Sequence, residues 1–184
     1  MYAIAALPTF DPKGGELLTV VETPKGSRNK YAFNPELGLF ELRRVLPRGM
    51  LFPYDFGFVP ATTADDGDPL DVLLMLEDSA PQGCIVRVRA IGAIEARQRE
   101  ANGEWERNDR VVAVATHARL HADLRSVKEL NPRILDEIEA FFRDYNEQDG
   151  KEFEPIKRAG PNGAARLIEE ARNRRKGSEK KKAA

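Results

Sequence analysis

Cysteine is almost absent from this sequence, and so is any long apolar run. The single cysteine, Cys84, cannot form a disulfide within the chain. No apolar stretch approaches the roughly 20 residues that a membrane-spanning helix needs. Residues 1–10 lack the basic, apolar and small-residue succession of a secretory signal. We therefore expect a cytoplasmic protein that is not inserted in a membrane.

Several motifs of common enzyme classes are also missing. There is no G-x-x-x-x-G-K-[ST] sequence, which argues against an ordinary nucleotide triphosphatase, and no G-x-S-x-G for acyl transfer. His117 and His121 are four residues apart, but no glutamate follows the first one as a zinc H-E-x-x-H motif requires. The chemistry must therefore come from other residues.

A strong charge of one sign is lacking as well, because the net charge is −1. We therefore do not expect nucleic-acid binding, which usually needs a basic excess. Seven basic residues do lie between Arg172 and Lys182, against the single acid Glu179. This tail is expected to be a solvated, frayed terminus from about residue 176 of a single domain that spans residues 1–184.

Alternating apolar residues and turn residues predict strands in the first two-thirds of the chain. These predicted strands are Leu17–Thr23, Asn29–Asn34, Leu39–Leu46, Asp71–Leu76, Cys84–Gln98 and Val111–Thr116. Apolar residues then recur at intervals of three and four, which predicts helices over Pro132–Asn146 and Asn162–Lys176, the first capped by Asn131. The pattern is typical of an α+β fold, an antiparallel β-barrel with flanking helices.

Three carboxylates crowd into the six residues Asp66-Gly67-Asp68-Pro69-Leu70-Asp71, which we call the acidic turn. A turn that aims adjacent anions at one point is expected to gather a hard divalent cation. An EF-hand is excluded because its sixth position needs glycine and holds Asp71, and because Pro69 stands at the fourth. The acidic turn therefore predicts a metal site at the start of a buried strand.

Two cations complement this turn. Lys30 and Arg44 lie on neighbouring predicted strands, and if these strands pair as a hairpin the two side chains can face one anion. Metal ions together with lysine and arginine are the groups that hold a phosphate chain during phosphoryl transfer.

The acidic turn matches the D-x-D-P-x-D signature of the family I soluble inorganic pyrophosphatases, and the chain resembles that family over about residues 16–170. Residues 20–31 resemble its opening hairpin, and residues 50–60 resemble its aromatic segment. Val111–Val114 and Phe141–Tyr145 resemble later blocks in the same order. The resemblance implies an OB-like five-stranded antiparallel β-barrel with flanking helices.

The resemblance also implies magnesium-dependent hydrolysis of inorganic diphosphate to two phosphates by a metal-activated water, in a homo-oligomer. It makes Asp66 and Asp71 ligands of Mg²⁺ and Asp68 the catalytic base. The residues that it implies for substrate binding are Lys30, Arg44, Tyr145 and Arg110. Arg110 stands where the family usually has a lysine, and Glu22 belongs to the polar outer layer of the site.

The chain departs from the family at several site positions. Neutral residues replace an acid, two tyrosines and a lysine, at Ala32, Phe52, Phe56 and Asn146 respectively. In the loop from Asn102 to Arg110 the family's metal-binding acid aligns with Asn108, and Asp109, Glu104 and Glu106 are the candidates to replace it. We take Asp109 as the metal ligand. The departures leave open an alternative, a non-catalytic or altered-substrate anion- and metal-binding protein.

Overall fold

The computed structural model describes residues 4–99 and 102–182, with side chains as far as residue 178. Nine strands occur along these residues: β1 (Leu17–Thr23), β2 (Asn29–Asn34), β3 (Leu39–Val45), β4 (Asp55–Phe58), β5 (Asp71–Met75), β6 (Ile85–Arg99), β7 (Trp105–Arg107), β8 (Arg110–Ala115) and β9 (Glu152–Ala159). The α-helices are α1 (Pro132–Glu147) and α2 (Pro161–Lys182). Short 3-10 turns cover Ile4–Ala6 and Val127–Glu129.

Five strands close into a ring. β1 pairs with β4, β4 with β5, β5 with β8 and β8 with β6, and β6 returns to pair with β1. Four of these pairings are antiparallel, but β5 and β8 are parallel, so the expectation of a wholly antiparallel barrel is wrong at this pair. The long β6 and short β7 lie between them in sequence and provide the crossover that a parallel pair needs. The architecture is an α+β fold on an OB-like five-stranded barrel.

The remaining strands extend this barrel. β2 and β3 form a separate hairpin, while β7 and β9 pair with the second half of β6. Both faces of the central strands are buried: Leu73 and Val112 pack in the cluster that includes α1, whereas Val72 and Val111 pack in the cluster that includes α2. Burial on both faces explains why these strands read as continuous apolar runs.

Helix α1 starts where the capping residues of the sequence predict. The Asn131 side chain accepts a hydrogen bond from the backbone N–H of Arg133, and Pro132 opens α1, as predicted. α2 continues to Lys182, past its predicted end at Lys176. Among the described residues, no helix combines the length and the apolar character that a membrane crossing requires.

Gly57 in β4 is a position where even one methyl group has no room. A Cβ placed there would lie 1.9 Å from the carbonyl oxygen of Val20 in the paired strand. We expect Gly57→Ala to lower the free energy of unfolding by about 1–3 kcal/mol, measured by urea denaturation. Gly177→Ala is the matched control, because that helical position is open and the change should raise stability by roughly 0.5–1 kcal/mol. Equal effects of the two changes would contradict this account.

Candidate active site

A cavity of about 670 Å³ opens beside the acidic turn. Its wall contains eight of the residues for which the sequence predicts a role: Glu22, Lys30, Arg44, Asp66, Asp68, Asp71, Arg110 and Tyr145. They come from β1, the β2–β3 hairpin, the acidic turn, β8 and α1. The fold thus assembles in one place residues that are far apart in sequence.

Lys30 and Arg44 lie directly opposite each other in the β2–β3 hairpin, which confirms the predicted pairing. Lys30 Nζ lies 3.3 Å from Glu22 Oε2 and 4.1 Å from the centre of the Phe56 ring. The other oxygen of Glu22 accepts a hydrogen bond of 2.7 Å from the backbone N–H of Phe33. Glu22 is therefore fixed by the hairpin and in turn holds the Lys30 ammonium at the cavity wall.

Arg44 is held by α1 and by the turn that follows this helix. Its guanidinium lies 4.2 Å from the centre of the Tyr145 ring and donates a 3.0 Å hydrogen bond to the Tyr145 carbonyl oxygen. It also forms an ion pair with Asp149, which lines the same cavity. The sequence analysis missed Asp149, because an aspartate before a glycine reads as an ordinary turn residue. These contacts leave other N–H groups of Arg44 for an anion, since guanidinium has five.

The geometry of the acidic turn follows from its residue types. Gly67 has a φ of +90°, a left-handed conformation that glycine adopts without strain. The backbone N–H of Asp68 donates a 3.1 Å hydrogen bond to Asp66 Oδ1. The buried Leu70 anchors the turn, because its backbone N–H donates a 2.9 Å hydrogen bond to the Thr62 hydroxyl. Asp66 and Asp68 are thereby presented at the exposed rim of the cavity.

Two carboxyl groups of the turn have raised pKa values. Desolvation raises the pKa of Asp71 to about 7; the nearby charges of Arg110 and Lys30 oppose this rise. The pKa of Asp66 is raised to about 6, first by desolvation and then by the negative charge of Asp68. Although Asp66 is at the rim, neighbouring protein atoms shield its carboxylate. Such groups carry a cost when ionised that a bound divalent cation relieves.

Arg110 is a buried cation, with only 3% of its surface exposed. Its guanidinium lies 4.0 Å from the centre of the Phe142 ring and 4.8 Å from that of Phe153. Nη1 donates a 2.9 Å hydrogen bond to the Asn108 carbonyl oxygen. Nε lies 3.8 Å from Asp71 Oδ2, too far for a hydrogen bond, and has no hydrogen-bond partner. An oxygen of a bound anion would satisfy this buried N–H group.

The structure corrects the prediction that Asp109 binds metal in this site. Asp109 is adjacent to Arg110, and successive side chains along a strand direction point to opposite faces. Its Oδ1 accepts a 2.9 Å hydrogen bond from the backbone N–H of Ala96, and its Oδ2 accepts one of 2.8 Å from Arg107. Asp109 is buried there and does not line the cavity.

The other two acids of this loop differ in their relation to the cavity. Glu106 is the cross-strand partner of Gln98, which lines the cavity, and its charge contributes to the raised pKa of Asp66. Glu104 is exposed, and its carboxylate accepts a 3.0 Å hydrogen bond from the Asn102 side chain. Glu106 is therefore the nearer of the two to the acidic turn, although it is not part of the cavity wall.

The four neutral residues that replace polar site residues of the family are either buried or part of the cavity wall. Phe52 and Phe56 are buried, with ring centres 5.8 Å apart. The buried Asn146 donates a 2.8 Å hydrogen bond from its side-chain amide to the Phe142 carbonyl oxygen within α1. Ala32 lines the cavity and offers no polar atom. None of these four side chains can replace the charged or hydroxyl group that the resemblance implies.

The donor set fits magnesium as an open site. Asp66, Asp68 and Asp71 provide carboxylate oxygens, the hard ligands that Mg²⁺ prefers. Within residues 4–99 and 102–182, no three His, Cys, Asp or Glu side chains are gathered closely enough to hold a metal ion by themselves. Mg²⁺ commonly binds through one or two carboxylates while water and substrate phosphate complete its coordination, so it does not need a complete protein cage.

The fold and the cavity define a class, an OB-like α+β barrel that gathers carboxylates, lysine and arginine into one pocket. Comparison with known proteins makes this class specific. The chain belongs to the inorganic pyrophosphatase family, whose family model matches residues 19–176, and the resemblance seen in the sequence is confirmed.

Individual relatives agree with this assignment. The chain is 37% identical over 133 residues to a soluble inorganic pyrophosphatase of Oryza sativa subsp. indica, a match that covers 72% of this chain but only 60% of that protein. It is 35% identical over 159 residues to an inorganic pyrophosphatase of Synechocystis sp., covering 86% and 91% of the two chains. The crystal structure of the Thermus thermophilus inorganic pyrophosphatase matches with a TM-score of 0.85 at 28% identity, over 95% of this chain and 99% of that one.

Proposed function

We propose that this chain catalyses the magnesium-dependent hydrolysis of inorganic diphosphate to two phosphates. The observation that supports this proposal most is that one cavity combines the acidic turn with Lys30, Arg44 and Arg110. Transfer of a phosphoryl group depends on positioning and on neutralising charge, and these are the groups that supply both. The relatives described above carry the name inorganic pyrophosphatase.

The substrate-binding and metal-binding roles are divided between the two sides of the cavity. Lys30, Arg44, Arg110 and Tyr145 hold the phosphate oxygens, and Glu22 positions the Lys30 ammonium. Asp66 and Asp71 hold Mg²⁺. When bound, Mg²⁺ neutralises phosphate charge and lowers the pKa of a coordinated water.

Asp68 is the base in this proposal. It lies at the exposed rim, and among the described residues it forms no ion pair that would compete for its carboxylate. The oxygen of the attacking water bonds to one phosphorus atom while its proton passes to Asp68. The bond from this phosphorus to the bridging oxygen breaks, and the electron pair leaves with the second phosphate, where Lys30 and Arg110 stabilise the charge.

We further propose that the protein is a cytoplasmic homo-oligomer. An oligomer is supported by the apolar side chains Leu39, Leu42 and Val45 of β3, each more than half exposed. Large apolar side chains exposed along one strand in this way are typical of a surface that another chain covers.

A non-catalytic or altered-substrate binding protein is the second candidate. It is supported by the neutral side chains of Ala32 and Asn108 in the cavity wall, and of Asn146, whose amide is already bonded to the helix backbone. Phosphate release from diphosphate by the purified protein, with and without Mg²⁺, separates the two candidates. Release that requires Mg²⁺ supports the enzyme, whereas diphosphate binding without any phosphate release supports the second candidate.

Lys30→Ala and Arg44→Ala should weaken the binding of diphosphate more than the binding of metal, because their proposed partners are phosphate oxygens. A hydrogen bond to a charged group contributes about 1.5–3 kcal/mol, so the Kd for diphosphate should rise about 10-fold to 100-fold in calorimetry. Arg48→Ala, an exposed cation outside the cavity wall, is the control and should leave both Kd values unchanged. Equal losses of metal and diphosphate binding would instead indicate a structural role for Lys30 and Arg44.

A further inference from the structure

Most of the acids that line the cavity already have a cationic partner. Three ion pairs join wall residues: Glu22 with Lys30 at 3.3 Å, Asp71 with Arg110 at 3.8 Å, and Asp149 with Arg44. In the pairs of Glu22 and Asp149 the charges largely compensate each other before any ligand enters, so these two carboxylates have less need of a metal ion. The pair of Asp71 with Arg110 is long, at 3.8 Å, and leaves Asp71 as a ligand for the cation of the acidic turn.

Two carboxylates of the wall are different. Asp66 and Asp68 have no ion-pair partner among the residues that the structure describes, and a 3.1 Å hydrogen bond from the Asp68 backbone to Asp66 holds them in one turn. They lie with Asp71 in one six-residue turn that lines the cavity. Such a turn can hold a single divalent cation through one or two of its carboxylates.

The neighbouring loop does not supply the carboxylates of a second metal site. Asn108 faces the cavity with a neutral amide, which donates a 3.3 Å hydrogen bond to Gln98 Oε1. Asp109 faces away and is bonded to Ala96 and Arg107. A second metal at this loop would therefore find an amide where it needs an anion.

On this side of the cavity the protein provides a positively charged side chain rather than a carboxylate. Arg110 is more than nine-tenths buried, and its Nε has no hydrogen-bond partner. A buried, unpartnered N–H on a side chain that lines the cavity points to an anionic ligand. Arg110 thus offers positive charge to a phosphate oxygen beside Asn108, where the loop supplies no carboxylate for a second metal ion.

We infer that this chain binds one divalent cation, at the acidic turn, and that Arg110 takes the place of a second. The inference rests on the proposed function only in treating the acidic turn as a metal site. Arg110 and Asn108 then determine how many metal ions the site binds. Diphosphate is held between one metal ion and the lysine and arginine side chains of the cavity.

The number of metal ions can be counted with Mn²⁺ alone as the probe, from the loss of the free-ion electron paramagnetic resonance signal as the intact protein is titrated. Mn²⁺ takes the same oxygen ligands as Mg²⁺. We expect one Mn²⁺ per chain for the natural sequence and two for Asn108→Asp, which places a carboxylate beside the acidic turn. Asn102→Asp adds the same charge to the same loop outside the cavity wall and should leave the count at one.

Two or more Mn²⁺ ions per chain in the natural protein, or none, would overturn the inference. So would a count that stays at one in Asn108→Asp, because Asn108 would then not be what limits the site. The measurement involves no turnover. A protein that binds one Mn²⁺ but releases no phosphate from diphosphate would overturn the proposed function and leave the metal count standing.

Discussion

Asp68→Asn should reduce the kcat of diphosphate hydrolysis by about 100-fold to 10,000-fold, the range typical of a lost general base. The amide has nearly the shape of the carboxylate but cannot take the proton of the attacking water. Asp68 is exposed at the rim of the cavity, so its replacement should leave the core undisturbed. The measurement is phosphate release at saturating Mg²⁺, with circular dichroism and urea denaturation to confirm an unchanged fold.

Asp65→Asn is the matched control for this change. Asp65 is a neighbouring exposed aspartate outside the cavity wall, where it forms a 2.8 Å ion pair with Arg174. Its replacement should leave kcat within about twofold, because a surface ion pair contributes little. Full activity of Asp68→Asn would remove Asp68 from the mechanism, and a similar loss in both variants would point to a general effect of charge.

Much of the fold can be predicted from the sequence, because the residues that start and end these strands and helices form local patterns. β1 and β2 begin and end at the predicted residues, since Pro24-Lys25-Gly26-Ser27 separates them with clear turn chemistry. α1 is equally clear, because Asn131 and Pro132 mark its start and its apolar residues lie on one face.

The strands that the sequence analysis missed depend on partners far away in the chain. β4 has only four residues, and Gly57 within it is required by the close approach of the Val20 backbone rather than by any turn. β9 contains Pro155 and several charged residues, which argue against a strand, yet it pairs with β6 over Ala93–Arg99. Such strands are stabilised by tertiary pairing, which no local pattern encodes.

The site also has parts that the sequence predicts and parts that it does not. The acidic turn and the pairing of Lys30 with Arg44 could be predicted, because each is a local feature with a distinctive composition. The orientation of Asp109 could not, because a shift of one residue along a strand reverses the face on which a side chain lies. Resemblance to a family identifies the loop from Asn102 to Arg110, but only the register of β8 against β5 decides which of its side chains reach the cavity.

Arg110→Met should lower the free energy of unfolding by about 2–3 kcal/mol at about pH 9, because it leaves Asp71 without its cation. Asp71 can take up a proton instead of staying ionised, at about 1.4 kcal/mol per pH unit above its pKa of about 7, which limits the loss two units higher to about 3 kcal/mol. Methionine can still pack against Phe142 and Phe153, so the loss should come mainly from charge. Arg110→Lys keeps the charge and should restore part of the stability. The measurement is urea denaturation in the presence of a chelator.

The loss in Arg110→Met should depend on pH in a direction set by Asp71. Its pKa is raised from 3.8 to about 7 in the folded protein, so the folded state binds this proton more tightly than the unfolded state does. Ionisation of Asp71 therefore opposes folding increasingly as pH rises from about 4 to about 7, and fully above that range. Without Arg110, whose charge lowers this pKa, the value rises further. The stability difference between Arg110→Met and the natural protein should then shrink as pH falls to about 5, where Asp71 is neutral in both. A difference that is the same at both pH values would mean that Arg110 stabilises the fold through its packing against the two phenylalanine rings, and not through its charge.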